Sequence, residues 1–135
     1  MTETLDILGA PMTVKADGND LAAFVAEQPI PPGYFVPPHR HDADEEMLMV
    51  VDGELTLIGE KGESKLAAGG SVIFQRGTLH GFRNDTSGIV RMMVVATPGV
   101  QAAEMFRHFD RAARGAPLSP EAVAGIAAQY GVSFG

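Results

Sequence analysis

The sequence contains no cysteine and no tryptophan. Without cysteine there is no disulfide framework, no thiolate metal site and no cysteine nucleophile, so any bound metal must be held by imidazole and carboxylate. Positive charge is scarce too: ten Lys and Arg stand against 17 Asp and Glu, for a formal charge of −7. No basic cluster is available to release counterions from a phosphate backbone, which argues against nucleic acid and for a small-molecule partner. Long hydrophobic runs are also missing. No stretch reaches the roughly 18 apolar residues of a membrane span. The opening "MTETLDILGAPMTV" lacks the basic and apolar regions of a signal peptide. The expectation is a soluble, cytoplasmic protein with no membrane partner.

Turn residues are abundant instead, with 16 glycines and 9 prolines among 135 residues, a length that suits one core. From Pro11 to Pro98 short apolar runs alternate with turn signals, and helical periodicity is absent. Eight strands are expected, at "MTVKA", "LAAFVAEQPI", "EEMLMVVDG", "ELTLIGE", "SKLAA", "SVIFQR", "LHGFRN" and "IVRMMVVAT". Eight short strands with repeated glycine punctuation fit an all-β jelly-roll barrel. After Gly99 the period changes. Ala102, Met105, Phe106, Phe109, Ala112 and Ala113 fall on one face of a helix running from Val100 to Ala113. A second helix is announced by Ser119 as N-cap, Pro120 in the first turn and Gly131 as terminator. The predicted organisation is a β-barrel domain over 1–99 with a helical extension over 100–135 packed on it.

The chemistry gathers in "PPHRHDADEEMLMVVDGE", residues 37–54. Alternate strand residues share a face, so His39 and His41 can project together with Cα atoms roughly 6.6 Å apart. Glu45 and Glu46 open the next apolar run, and the pleat sends only one of them inward. His80, in "QRGTLHGFRN", stands between Gly77 and Gly81 on a strand that can run antiparallel to the first. Asp42, Asp44 and Glu45 read as a solvated acidic loop, Asn84 as a turn former, and His108 as an exposed helix residue. Gln75 and Arg83 read equally as contacts for an anionic substrate or as outward surface residues. Phe35, Leu48, Val50, Phe74, Phe82, Met92 and Val94 are candidates to line an apolar pocket.

These segments resemble the two motifs of the cupin superfamily. Gly33, His39, His41, Glu46 and Gly53 match G-x5-H-x-H-x4-E-x6-G in full. Gly69, Gly77, His80 and Asn84 match G-x5-P-x-G-x2-H-x3-N, with Gln75 in place of its proline. The resemblance implies that His39, His41, Glu46 and His80 ligate one divalent transition metal ion, Fe, Mn, Ni, Co, Cu or Zn. It selects Glu46 over Glu45 by the distance to Gly53. The ending "SPEAVAGIAAQYGVSF" is similar to that of small bacterial quercetin 2,3-dioxygenase-like cupins, which close with A-x-x-Y-G-x-x-F. That similarity implies a dioxygenase-like enzyme acting on an aromatic or enol substrate, with Glu46 as ligand and as general base, in a homodimer. Metal-dependent isomerisation or decarboxylation and non-enzymatic binding of a small molecule are the alternatives, because one fold hosts many chemistries.

Overall fold

A computed structural model describes residues 3–135. The chain runs through β1 (Glu3–Ile7), β2 (Ala10–Asp17), β3 (Phe24–Ile30), β4 (Phe35–His41), β5 (Glu45–Asp52) and β6 (Glu54–Gly59). It continues with β7 (Gly62–Ala67), β8 (Ser71–Phe74), β9 (His80–Arg83) and β10 (Val90–Thr97). Two helices, α1 (Val100–Ala113) and α2 (Pro120–Ala128), precede a last strand, β11 (Val132–Phe134). Among the described residues no helix is long and apolar enough to cross a membrane.

Alternation builds the first sheet. Phe24, Ala26, Gln28 and Ile30 of β3 are buried, as are Val90, Met92, Val94 and Ala96 of β10 and Glu46, Leu48 and Val50 of β5. Their period of two places all of them on one face. The strand order is β1-β2-β3-β10-β5-β8, and a second sheet runs β11-β4-β9-β6-β7. Leu55, Leu57 and Phe82 of the second sheet pack into the same core as Phe24, Leu48 and Met92 of the first. The expected jelly roll is thus two facing antiparallel sheets, a sandwich rather than a continuous closed barrel.

The first helix occupies its predicted span, and the second starts at Ser119 as predicted but ends at Ala128, before Tyr130 and Gly131. The Ser119 hydroxyl accepts the Ala122 N–H at 3.1 Å, as a cap should. Met105 and Phe109 of α1, Ile126 and Ala127 of α2, and Val132 of β11 form a second, smaller core. Arg107 ties α1 to the first two strands through Glu3 and, at 2.9 Å, Asp17.

Two polar residues depart from expectation. Asp44 is buried rather than solvated, because its carboxylate accepts the Gly99 N–H at 2.8 Å where α1 begins. An Ala Cβ at Gly99 would lie 2.2 Å from the Phe24 nitrogen, so no side chain fits at this junction. His108 is half-buried rather than exposed, since its Nδ1 pairs with the Tyr130 hydroxyl at 2.9 Å and links α1 to the end of α2.

Candidate metal centre and cavity

His39 and His41 leave the same face of β4, and His80 lies directly opposite His39 on β9. Glu46 reaches in from β5 on the facing sheet, while Glu45 points to solvent. A local irregularity makes this convergence work. Pro37 and Pro38 shift the register of β4 against β9 between Val36 and His39, and the two backbones press together at Gly81. A Cβ there would stand 2.5 Å from the Val36 carbonyl oxygen, so only glycine lets β9 come close enough. Gly81→Ala is therefore expected to cost about 1–3 kcal/mol of stability by overpacking. It should also weaken metal binding about tenfold or more by moving His80 away from His39, as competitive chelator titration would measure.

The four side chains are buried and their polar atoms meet. His39 Nε2 lies 3.1 Å from His41 Nε2, His80 Nε2 lies 3.2 Å from Glu46 Oε1, and His41 Nε2 lies 3.5 Å from Glu46 Oε2. All three imidazoles present a nitrogen to one small volume. The outer nitrogens fix the tautomers of two rings. His39 Nδ1 donates to the Pro37 carbonyl at 2.8 Å and His80 Nδ1 to the Thr78 carbonyl at 2.9 Å. A carbonyl can only accept, so when these rings are neutral their Nε2 atoms carry lone pairs aimed inward, beside a carboxylate.

Convergence of acceptors without a matching donor is what a cation relieves. Edges of 3.1–3.5 Å are those of ligands arranged about 2.1 Å from a common centre, the usual metal–imidazole distance. The residues fit a divalent transition metal, and the scarcity of oxygen donors disfavours Ca or Mg. Burial keeps two of the rings unprotonated at neutral pH. Burial, then the nearby His80, pushes the His39 pKa down to about 4, and burial also lowers that of His41. For Glu46, burial would raise the pKa, but the hydrogen bond that His80 Nε2 donates when its ring is protonated, and the charge of the neighbouring imidazoles in that state, outweigh it and hold the carboxyl below its usual range.

The centre opens into a cavity of about 710 Å³ between the sheets, roofed by α1, α2 and β11. His39, His41 and Glu46 form one wall, and Leu48, Phe82, Met92, Met105 and Phe109 are among the apolar side chains of the rest. Among the described residues no Lys or Arg lines it. Of the expected pocket residues, Phe35, Leu48, Phe82, Met92 and Val94 are in the lining, but Val50 and Phe74 are not. Phe74 instead stacks on the His80 ring, centroids 4.1 Å apart, and holds its plane.

Gln75 is exposed, and Arg83 is turned outward to Glu63 and Asp85. Asn84 is a turn former of an unusually buried kind, donating to the Ile30 and Gly88 carbonyls and accepting the Thr86 N–H. Two contributors escape the sequence reading. Phe134 lies beside His39, brought there by β11, whose residues pair with His39–His41. Gln28 lines the cavity, and its signal was its position in phase with Phe24, Ala26 and Ile30.

Residues 26–96 match the family described as the cupin domain. The chain belongs to the cupin family. No curated protein matches this cupin significantly. Among solved structures it is similar to a sugar phosphate isomerase of the cupin superfamily from Silicibacter pomeroyi, with 27% identity and a TM-score of 0.62. That alignment covers 68% of this chain and 61% of the other, so the cupin described here spans less than two thirds of that protein's length. A polyketide cyclase from Streptomyces resistomycificus is similar at 26% identity and a TM-score of 0.59, over 66% of this chain and 65% of that one. A Klebsiella pneumoniae protein with a double-stranded β-helix domain aligns at 26% identity and a TM-score of 0.57, over 64% and 75%.

Proposed function

We propose that this cupin binds one divalent transition metal ion through His39, His41, His80 and Glu46 and acts on a small, largely apolar organic molecule held in the adjoining cavity. The observation that carries the reading is the position of the donor cluster, three of whose side chains, His39, His41 and Glu46, form one wall of a roomy, largely apolar cavity. A structural metal site would be closed on all sides by its ligands.

A bound ion would supply Lewis-acid polarisation of a substrate oxygen. The protein supplies the rest. Glu46, ionised at neutral pH, is placed to accept a proton from a substrate hydroxyl or from the carbon beside a carbonyl. Apolar walls keep water from the reacting atoms and orient the carbon skeleton.

The lack of Lys or Arg in the wall speaks against a sugar phosphate, whose anion would be buried without a partner. An aromatic or enolisable skeleton suits it better, in keeping with similarity to a polyketide cyclase. Two reaction classes fit that substrate. Oxygen-dependent cleavage is favoured by the quercetin 2,3-dioxygenase-like ending with Ala127, Tyr130, Gly131 and Phe134. Isomerisation, cyclisation or decarboxylation without oxygen is favoured by the Streptomyces neighbour.

The test is elemental analysis of untagged protein, followed by turnover of enolisable aromatic compounds in an oxygen electrode. About one metal ion per chain is expected, and oxygen uptake in step with substrate loss would assign cleavage. Turnover without oxygen uptake would assign the second class. Failure to take up Mn, Fe, Co, Ni, Cu or Zn on reconstitution would overturn the proposal.

A further inference from the structure

The inward row of β3 reads Phe24, Ala26, Gln28, Ile30. Gln28 is the polar exception, 3% exposed, and its amide has no hydrogen-bond partner among the described residues although the side chain lines the cavity. Among the described residues no buried side-chain polar atom sealed from the cavity lacks a partner, so the Gln28 amide faces the open volume. Packing does not explain it. A methionine would fill the same space in this apolar row, where drawing an amide out of bulk water into an apolar cavity brings no packing gain.

Register locates Gln28 relative to the metal-facing cluster. Glu46 pairs with Ala96 on β10, whereas Gln28 pairs with Met92, four residues further along the same strand. The two positions are separated by roughly 13 Å along the strands and by two strands, roughly 10 Å, across the sheet. Leu48, Val94 and Met92 lie on the apolar wall between them. A molecule that touches both must have an apolar body about two rings long.

We propose that Gln28 is a specificity-determining residue that hydrogen-bonds a neutral polar group at the far end of the substrate from its metal-facing oxygen. The inference rests on the cavity reading above and deepens it, because it defines the ligand class. That class is an elongated, ring-bearing molecule with a metal-binding oxygen at one end and a hydroxyl, carbonyl or amide at the other. Gln28 can serve either polarity, since its amide both donates and accepts. A terminal phosphate or carboxylate is disfavoured, there being no Lys or Arg among the described residues that line the cavity.

Zinc-loaded protein can be titrated with aryl hydroxamic acids, whose head group binds metal and whose body carries one or two rings, each with and without a hydroxyl on the distal carbon. In the native protein the hydroxyl should tighten binding of one length about tenfold. In Gln28→Met that gain should vanish while the parent compound binds as before, and the metal-free variant should unfold at the same or a higher temperature. Equal affinities for every hydroxyl pair, or a gain that survives Gln28→Met, would overturn the role of Gln28 and leave the cavity reading intact. A lower unfolding temperature of the metal-free variant would also overturn it, by showing that Gln28 holds the fold. If no hydroxamate binds the zinc-loaded protein, the cavity reading fails and this inference with it.

Discussion

His80→Ala is expected to lower affinity for a divalent transition metal by about 100-fold or more, while the protein remains folded. Structural zinc sites with four ligands supply an apparent 10–16 kcal/mol, so one ligand is worth about 3 kcal/mol. His80 is the natural choice for the test because its geometry is the most constrained of the three rings. Thr78 fixes its tautomer, Phe74 fixes its plane, and Glu46 faces its inner nitrogen. Alanine removes the donor and leaves a void under Phe74 at the edge of the main core, so the variant's unfolding temperature without metal is compared with that of the metal-free native protein. The variant should purify with little metal and should lose the rise in unfolding temperature that zinc gives the native protein. His108→Ala is the matched control, since His108 is committed to Tyr130 on the helical layer. It should keep its metal. Native-like metal content in His80→Ala would remove this residue from the site.

How much of this was legible beforehand depends on which residues carried the signal. The strands β2, β3, β5, β8 and β10 were visible because their inward residues repeat with a period of two, as Val90, Met92, Val94 and Ala96 do, and β6, β7 and β9 through their short apolar runs between turn residues. The helices were visible through the stripe in α1 and the Ser119-Pro120 start of α2. Two strands were hidden and a third, β4, was read only locally at His39 and His41, each for a physical reason. β1 has only Leu5 and Ile7 as inward apolar residues, and it depends on β2 and α1 for its place. β4 carries Pro37 and Pro38, which count against a strand unless a bulge and a glycine opposite absorb them, as Gly81 does. β11 has three residues and becomes a strand only by pairing with the histidine strand.

The candidate site shows the same division. His39, His41, Glu46 and His80 could be singled out because the cupin motifs fix their spacing, and the fold brings the polar atoms of all four together. Asp44 was misread because an acid in an acidic loop resembles any solvated acid. Its partner, the Gly99 N–H, is 55 residues away and is supplied by the fold alone. Gln28 was overlooked because one amide in an apolar row changes a hydrophobic pattern very little. Only the cavity around it gives the amide a meaning.

Acidification is expected to destabilise the metal-free protein by about 3 kcal/mol between neutral pH and pH 4. His39 sets the size of the effect. Its pKa is about 4 in the fold against 6.5 for an ordinary histidine, so between those values the unfolded chain binds a proton that the folded chain refuses. Stability therefore rises with pH across this window and is lost as pH falls. A gap of about 2.5 in pKa, at 1.36 kcal/mol for each, gives the stated magnitude. His41 is depressed in the same direction and adds to the loss. Glu46 also acts in the same sense but lower, its contribution disappearing as pH drops through its own depressed value. Urea denaturation of chelated protein at a series of pH values measures the trend, and His39→Leu should remove about one proton from its slope. A bound metal raises the whole curve, because an ion that binds only the folded chain stabilises it by mass action, and protons must then displace it before the histidines can charge. The metal-loaded protein should thus hold its stability to a lower pH and then lose it over a narrower range. If chelated protein is equally stable at pH 7 and pH 5, the inner nitrogens are not held neutral by burial. The cluster would then stand as an ion-paired network around Glu46 rather than as a preformed set of metal donors.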